Sequence, residues 1–522
     1  MQIVGTSNLW KDYFADALPF NITELSKKTI GNMTARELYF DGLPTTDGRV
    51  RAFVRIFENP DPKGVILLLP NHSGGEDGDI AMLFNHGYTV AMLDYTGETD
   101  KYPRFTFYPA SLSGCNAFGK TKFVADSPAL QSCWFVWTAV ARRAVLLLKH
   151  LYEGKKLFAV GKGLGGSIVY KLCSFDDGLT AAATMLNVIP DVSGTGNFII
   201  NYRAALDSSS YSQTAKIPLF MAVASNDEDG SLDQMSTLAE NTASLKCFRI
   251  VERTFSSGIK KVFGQIDAFF TSYDVGTPNI PRPKVTASNS ENRLYFNIKV
   301  NGGKVAQAEM FAAFCIENPT HRNWTKLPVI TVAEDGEYMA RADVLQNDKP
   351  AYAFINVKCE DGSVSSSPLL CVVPKMLGIP AVPRMPHRLI YDGSMGLDVW
   401  TSTDGGNVEI KTGPYGIDGV CSDTLSLATF KPGDMMYRGE KDSLLQLSVS
   451  GKQQSITVSV SDGVDKYDCI RDIPSVGEWH KFTLSSSDFK NVKSGTLNNW
   501  LNVIMLEISS KDELIVGSAL WV

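Results

Sequence analysis

The sequence lacks the features that mark membrane proteins and nucleic-acid-binding proteins. No apolar run approaches the roughly 18 consecutive residues that a membrane-spanning helix needs. The net charge of −6 and the pI of about 5.7 exclude a strongly basic surface for nucleic acid. Residues 1–20 have no basic start followed by an apolar run, so they do not look like a secretory leader. We therefore expect neither a membrane nor a nucleic-acid partner.

The sequence also lacks paired cysteines. Its nine cysteines are scattered singly, with no C-x-x-C pair that would indicate a zinc site. The odd number argues against a dense disulfide framework, so we expect mostly buried thiols in a reducing compartment. No metal and no other cofactor is predicted. With the missing leader, this pattern favours the cytoplasm, whereas a leader removed earlier would place the protein outside the cell.

A chain of 522 residues is long enough for several domains, and its first 280 residues alternate strand and helix patterns. Continuous apolar runs are typical of parallel strands buried on both faces, and they lie at 64–70, 88–95, 155–161 and 217–225. Residues 133–154 have the apolar spacing of a helix. This alternation predicts a mostly parallel sheet with helices on both faces. Residues 35–42 and 49–60 are predicted to add antiparallel strands at one edge.

Two proline-rich linkers divide the rest of the chain. Residues 278–285 precede a series of short β patterns, for which we predict an immunoglobulin- or fibronectin-like β-sandwich over 284–376. Residues 378–388 precede a second all-β segment, rich in Ser, Gly and Asp. A jelly-roll sandwich over 386–522 is the prediction for this segment.

The first domain, residues 1–280, carries several motifs in a fixed order. NHSGGEDG follows the first buried strand, GKGLGG follows the third, and NDEDG follows the fourth. In this order the motifs resemble the acetyl-xylan-esterase and dienelactone-hydrolase-like members of the α/β-hydrolase superfamily, in which a G-x-S-x-G turn presents the nucleophile. The resemblance implies a multidomain fold class, in which an α/β-hydrolase domain is followed by two all-β sandwich domains.

The catalytic residues that the resemblance implies are incomplete. Gly163 stands at the nucleophile position, where the family has serine. A histidine should accept the proton of that serine, and an aspartate should orient the histidine. Asp227 matches the acid position, but no histidine lies between residues 151 and 320. Ser256 or Ser257 occupies the place where the resemblance puts the histidine, so we predict no catalytic residue.

The cleft of such a domain can still bind a ligand. The oxyanion loop and the first N–H of the helix after the turn are retained, and a helix N-terminus attracts anions. An aromatic segment at 101–120 is predicted to cover the cleft. The predicted substrate-binding residues are His72, Ser73, Gly74, Leu164, Tyr102 and Tyr108. The alternative is that the glycines serve tight packing, His72 bonds the loop backbone, and the tyrosines fill the core.

The last domain resembles jelly-roll carbohydrate-binding modules, through RLIYDGSMGLDVW, GEWHKFTLSSSDF and the closing strand patterns. Sugars stack on exposed aromatic rings, and Tyr415 and Tyr437 lie in predicted loops. We therefore predict a catalytically degenerate esterase-like protein that binds a small-molecule or glycan ligand, namely a carbohydrate or an acylated sugar. The alternatives are an active carbohydrate esterase that uses unconventional residues, with Ser167 and Lys162 nearest the turn, and a non-catalytic structural or interaction scaffold. The sequence does not indicate the oligomeric state.

Overall fold

The apolar runs of the first domain form strands whose two faces contact two separate cores. Val65, Leu67 and Leu69 face one core, whereas Ile66 and Leu68 face the other. Alternation with a period of two explains why such strands read as continuous apolar runs. The computed structural model describes residues 5–71, 77–97, 104–115, 129–185, 197–227, 232–273, 280–333, 336–383, 387–493 and 495–522.

The first domain is built on a nine-stranded sheet in the order β1-β2-β3-β5-β4-β6-β7-β8-β9. The first three strands are antiparallel, and β3 joins β5 antiparallel. The remaining neighbours are parallel, as predicted. The strands are β1 Thr23–Ile30, β2 Met33–Thr45, β3 Gly48–Glu58, β4 Val65–Leu69, β5 Thr89–Asp94, β6 Leu157–Lys162, β7 Ala181–Met185, β8 Leu219–Ala224 and β9 Lys246–Val251.

Helices cover both faces of this sheet, which confirms the predicted layering. Residues of α2 and α7 pack into one core, and residues of α1, α3, α4, α5 and α6 pack into the other. The predicted long helix is α3, and its N-terminus is capped by Ser132, which accepts a hydrogen bond from the Phe135 backbone N–H. The helices are α1 Thr6–Trp10, α2 Asp77–Asn85, α3 Cys133–Leu151, α4 Leu164–Leu172, α5 Asn197–Leu206, α6 Leu232–Asn241 and α7 Phe263–Ser272.

Three strands of the sheet, β1, β7 and β9, were not predicted from the sequence, and the first two show why. β7 is mostly alanine, which has a low strand propensity, yet all five of its residues are buried between neighbouring parallel strands. β1 lies at the open edge, and its side chains are half-buried or exposed, so it shows no apolar pattern. In both cases the neighbouring strands, rather than the local sequence, determine the strand conformation.

The second domain has two antiparallel sheets around one core that includes Phe296, Ile298 and Ile355. Their orders are β10-β11-β15-β14 and β13-β12-β16-β17, with β18 also paired to β16. The strands are β10 Arg282–Ser290, β11 Arg293–Asn301, β12 Val305–Phe314, β13 Thr325–Leu327, β14 Val329–Ala333, β15 Glu337–Ala342, β16 Ala351–Cys359, β17 Val364–Ser366 and β18 Leu370–Val372.

The third domain is also all-β and has two six-stranded sheets. One has the order β20-β21-β30-β23-β26, with β19 also paired to β30, and the other has the order β22-β29-β24-β25-β27-β28. Its strands are β19 Leu389–Asp392, β20 Val408–Thr412, β21 Asp418–Ser422, β22 Ser426–Thr429, β23 Leu445–Gly451, β24 Gln454–Ser461, β25 Lys466–Ile473, β26 His480–Leu484, β27 Lys490–Asn491, β28 Gly495–Thr496, β29 Met505–Ser509 and β30 Leu514–Trp521. The all-β class of both C-terminal domains is as predicted, whereas the exact domain boundaries and the jelly-roll assignment stay predictions.

The second domain shares a hydrophobic core with the first. Phe311, Trp324 and Phe354 belong to the same buried cluster as helices α3 and α4. Arg322, whose side chain is fully buried, makes a bidentate ion pair with Asp233 of α6. The second domain is therefore packed directly against the first through a shared apolar core.

The prediction of a cytoplasmic protein rests in part on unpaired cysteines. No disulfide joins any two of the nine cysteines, all of which are described, and seven of them are buried. Within the described part of the chain, none of the helices combines the length and the apolar character needed to cross a bilayer. The cytoplasmic assignment stays a prediction.

Candidate functional site

The site predicted from the sequence lies at a tight turn between β6 and α4. β6 ends at Lys162, Gly163 forms the turn, and α4 begins at Leu164. Gly163 has φ 54° and ψ −120°, a backbone conformation that residues other than glycine adopt only under strain. Its backbone N–H donates to the Met185 carbonyl of β7 at 2.9 Å. The turn therefore has the sharp strand-to-helix geometry of a nucleophile elbow, with no side chain at its tip.

Two further glycines allow α4 to approach the sheet closely. A Cβ atom on Gly161 would collide with the Gly165 carbonyl oxygen, and one on Gly165 would collide with the Leu69 carbonyl oxygen of β4. Only glycine at both positions leaves room for the helix to start directly above two central strands. The close packing of α4 on the sheet therefore requires glycine at both positions, and the turn keeps the shape of an elbow.

The space above the turn is filled by Asn71, which follows β4. A Cβ atom placed on Gly163 would lie 2.5 Å from Asn71 Oδ1 and 2.6 Å from its Cγ. The same Oδ1 accepts a hydrogen bond from the Leu164 backbone N–H at 3.3 Å. That N–H belongs to the residue after the nucleophile position, which in an α/β-hydrolase contributes to the oxyanion hole. Asn71 thus occupies the volume of the missing side chain and engages the predicted oxyanion donor.

Strand order, strand direction and the elbow after the central strand β6 are now all established. The first domain has an α/β-hydrolase-like fold. Its elbow stands at the carboxyl ends of the parallel strands, the edge where open α/β sheets bind ligands.

Comparisons with known proteins add little beyond this fold. No protein-family model matches the sequence, and no curated protein matches it. Similar solved structures include acetyl xylan esterase 1 from Thermoanaerobacterium sp. JW/SL YS485, at 12% identity and TM-score 0.39, over 51% of this chain and 95% of that one. An acetyl xylan esterase from Paenibacillus sp. R4 has 12% identity and TM-score 0.39, over 49% and 90%. Est1E from Butyrivibrio proteoclasticus has 10% identity and TM-score 0.32, over 48% and 100%.

The predicted acid position lies against the second domain. Asp227 follows β8 and is buried, with 2% of its surface exposed. The neighbouring Asn226 donates through Nδ2 to the carbonyl oxygens of Thr320 and Arg322, at 3.0 and 2.9 Å. Thr320 Oγ1 in turn donates to the Asp227 carbonyl oxygen at 3.4 Å. The loop that carries Asp227 is therefore held by the second domain, and its assignment as the residual acid stays a prediction.

The loop where the resemblance places the histidine is docked onto the third domain. Ser257 donates to the Thr403 carbonyl oxygen at 3.0 Å. Phe255 packs on Phe430, with ring centroids 5.6 Å apart. Residues of this loop thus serve a contact between domains.

A histidine of the second domain follows Thr320, the residue that contacts the acid loop. His321 ends the short 3₁₀ turn Pro319–His321 of the second domain, next to Thr320. Its Nδ1 is buried and has no hydrogen-bond partner among the described residues. Burial lowers the pKa of His321. Sequence reasoning missed this residue because it looked for the histidine only within the first domain.

The predicted substrate-binding residues are only partly described. His72, Ser73, Gly74 and Tyr102 lie outside the described residues. The backbone N–H of Leu164 is present at the elbow but bonded to Asn71. Tyr108 is a buried core residue whose hydroxyl donates to the Tyr95 carbonyl oxygen at 2.6 Å. The assignment of these six residues as ligand contacts stays a prediction.

Asn71 is the site residue that sequence reasoning missed. It follows β4 and Pro70 and begins the NHSGGEDG motif, whose predicted ligand contact is the neighbouring His72. The available signal was the pairing of a polar side chain at a strand end with a glycine at the elbow tip. Ser167, the serine nearest the turn in the sequence, lies in α4 and is fully buried, so its hydroxyl faces the protein interior.

The two candidate sugar contacts differ in their surroundings. Tyr415 is 83% exposed, at the tip of the hairpin that joins β20 to β21. Tyr437 is half-buried; its ring stacks on His387 with centroids 5.8 Å apart, and Lys431 Nζ lies 4.3 Å from the ring centroid. Both assignments stay predictions, and Tyr415 presents the more accessible ring.

Trp479 supports the base of the Tyr415 hairpin. Its Nε1 donates to the Pro414 carbonyl oxygen at 2.9 Å. Its ring lies against the backbone of Gly413 and Gly517, where a Cβ atom would come within 2.6 Å of the ring. The hairpin tip is therefore fixed in position by a partly buried aromatic residue.

Proposed function

We propose that this chain is a catalytically inactive, esterase-like protein that binds a carbohydrate ligand. The observation that carries the inactive part of this proposal is the Asn71 side chain in the elbow. It stands where a nucleophilic side chain needs to be, and it accepts the Leu164 N–H that would stabilise an oxyanion.

The loss of activity follows from the chemistry of acyl transfer. Such a reaction needs a nucleophile at the elbow tip and donors aimed at the developing oxyanion. Gly163 supplies no oxygen, and the amide oxygen of Asn71 holds the Leu164 N–H in the ground state. A single glycine-to-serine change would therefore place the new hydroxyl against Asn71 rather than against a substrate.

The binding part of the proposal is supported by strain at Tyr415. Tyr415 has φ 60° and ψ 19°, and the following Gly416 has φ 72°. This pair has the φ signs of a type I′ turn, in which Asn-Gly is strongly preferred over an aromatic residue. The ring is 83% exposed, so it gains little packing in return for the strained backbone. Strain of this kind is a reason to propose a functional role, and an exposed ring suits a sugar face.

An esterase assay tests the inactive part. The wild-type protein is incubated with nitrophenyl acetate and with acetylated xylan, beside the Gly163→Ser and Gly163→Ser/Asn71→Gly variants. We expect no turnover above the uncatalysed background for the wild type or for either variant. Saturable hydrolysis by the wild type would instead support the alternative of an active esterase with unconventional residues.

A glycan array tests the binding part, with the Tyr415→Asn variant as the critical comparison. Asparagine suits the turn better than tyrosine, so this variant should fold at least as well while losing the ring. Phe14→Ala, which removes another exposed ring from the first domain, is the matched control. We expect one class of glycan to bind the wild type and the control but not Tyr415→Asn. The absence of any bound glycan, or equal binding by all three proteins, contradicts the carbohydrate proposal.

A further inference from the structure

A cavity of about 690 Å³ lies between the first and second domains. One side is formed by the end of α6 and the segment leading into β9. The other sides come from the start of β10 and from residues 365–368. None of the described lining residues belongs to the elbow. The volume falls within the range of small-molecule sites, roughly 300–1,000 Å³.

Part of the cavity lining is apolar. It is formed by Leu245, Phe248, Pro281, Pro283 and Pro368. Three of these residues are proline, so this wall loses little conformational entropy when a ligand binds.

Ser244 adds an unsatisfied polar group to the same lining. Its Oγ is buried and has no hydrogen-bond partner among the described residues. Because this Oγ is enclosed by protein atoms, the groups that a ligand can reach are the charged and apolar side chains of the lining.

The charges that line the cavity are mostly positive. Arg282 and Lys284 alternate with buried residues along β10, so their side chains project to the same side of the strand. Neither has a carboxylate partner in the described part of the chain. Lys246 is a third cation, and Glu240 is the only carboxylate among the described lining residues.

Lys246 is hydrogen-bonded to backbone carbonyls at the end of α6. Its Nζ donates to the Glu240 and Thr242 carbonyl oxygens, at 3.2 and 2.6 Å. Burial lowers the pKa of Lys246, the Glu240 carboxylate opposes this effect, and the Arg282 guanidinium lowers the pKa further. Lys246 thus experiences the positive field of Arg282, while Arg282 and Lys284 are available to a ligand.

We propose that this cavity binds a small organic anion that has one carboxylate or phosphate group and an apolar body. The anionic group would lie against Arg282 and Lys284, because charge-assisted hydrogen bonds to these cations are the strongest interactions that the cavity offers. The apolar body would lie against Phe248 and the proline wall. Since these groups come from two domains, the ligand would bridge them. This proposal does not depend on the proposed function of the elbow.

Fluorescence titration with anilinonaphthalene sulfonate tests the proposal, because this probe is an anion with an apolar body. The full-length wild type should bind the probe saturably at one site, and octanoate or octyl phosphate should displace it. Displacement by only one of the two identifies the preferred anionic group. If the folded wild type binds no probe saturably, or if neither competitor displaces it, the proposal is overturned.

Two variants locate the bound probe. Arg282→Gln/Lys284→Gln should weaken probe binding about tenfold, because two charge-assisted contacts are lost. Lys304→Gln/Lys326→Gln is the control, because it removes the same charge from exposed residues of the second domain that do not line the cavity. Ala243→Trp should block the cavity without changing its charge. Equal affinity in all variants, or an equal loss in the control, overturns the proposal.

Discussion

At the scale of single residues, Asn71 and Gly163 form a complementary pair. The elbow needs a positive φ at Gly163, and the asparagine side chain occupies the space that a larger residue there would need. Glycine is therefore favoured at position 163 for two reasons: its backbone has a positive φ, and the Asn71 side chain leaves no room for a Cβ atom. Substitutions at the two positions should not act independently.

A double-mutant cycle measures this coupling. Gly163→Ser should lower the free energy of unfolding by roughly 1–3 kcal/mol, because a strained φ is combined with a clash. Adding Asn71→Gly should recover part of that loss, since the clash is removed. Urea unfolding of the wild type, the two single variants and the double variant provides the measurement. Strict additivity of the two single effects would show that the side chains do not contact each other.

At the scale of elements, the third domain holds a half-buried lysine in a short turn. Lys431 begins the short 3₁₀ turn Lys431–Gly433 after β22, and its Nζ donates to the Ile390 carbonyl oxygen at 2.8 Å. Burial lowers the pKa of Lys431 to about 8, although the carboxylates of Asp434 and Asp392 oppose this shift. The turn therefore carries a cation that is easier to deprotonate than an exposed lysine.

This lysine should make stability depend on pH in the alkaline range. Because its folded pKa of about 8 is below the ordinary value of 10.5, the unfolded chain binds more protons between these two pH values. The contribution of Lys431 to stability should therefore increase as the pH rises from about 8 to about 10. Melting temperatures of the wild type and Lys431→Met, measured across this range, should separate progressively in favour of the wild type.

The exposed Lys452 provides the control for the pH experiment. Lys452 pairs with Asp512 at the surface of the same domain. Lys452→Met should show no such change of melting temperature with pH relative to the wild type. A pH-independent difference between the wild type and Lys431→Met would show that Lys431 keeps an ordinary pKa in the folded protein.

At the scale of the whole molecule, the first two domains behave as one packing unit. Arg322 is fully buried, pairs with Asp233 and lies 3.5 Å from the Tyr352 ring centroid. Trp324 donates through Nε1 to the Ser225 carbonyl oxygen at 3.3 Å, close to the loop of the predicted acid. A polar junction surrounded by a shared apolar core should make the two domains unfold together.

Removing the ion pair at this junction should destabilise both domains. Asp233→Ala should cost roughly 1.5–3 kcal/mol, because the buried Arg322 guanidinium loses its half-exposed carboxylate partner but keeps two backbone carbonyl acceptors. Calorimetry should show one common transition for these domains in the wild type and a lower transition in the variant. Glu317→Ala, which removes an exposed carboxylate paired with Lys349, is the control. A separate first-domain transition that Asp233→Ala leaves unchanged would contradict joint unfolding.

Much of the fold follows from local patterns in the sequence. Strands β4, β5, β6 and β8 have both faces buried, and apart from Thr89 and Asp94 in β5 and Lys162 at the end of β6 their residues are apolar or glycine. The glycines of 161–165 specify a tight turn because no other residue fits the close approach of α4. Alanine-rich β7 and exposed β1 lack such patterns, because neighbouring strands determine their conformation.

The sequence by itself determined the mixed α/β and all-β classes, the elbow and the absence of a serine at its tip. Only the tertiary structure placed Asn71 over Gly163, brought Thr320 of the second domain to the acid loop and formed the cationic cavity between two domains. The reason is physical: strand and turn patterns are local, whereas these contacts join residues far apart in the chain. The sequence shows which side chains are present, and packing decides which of them meet.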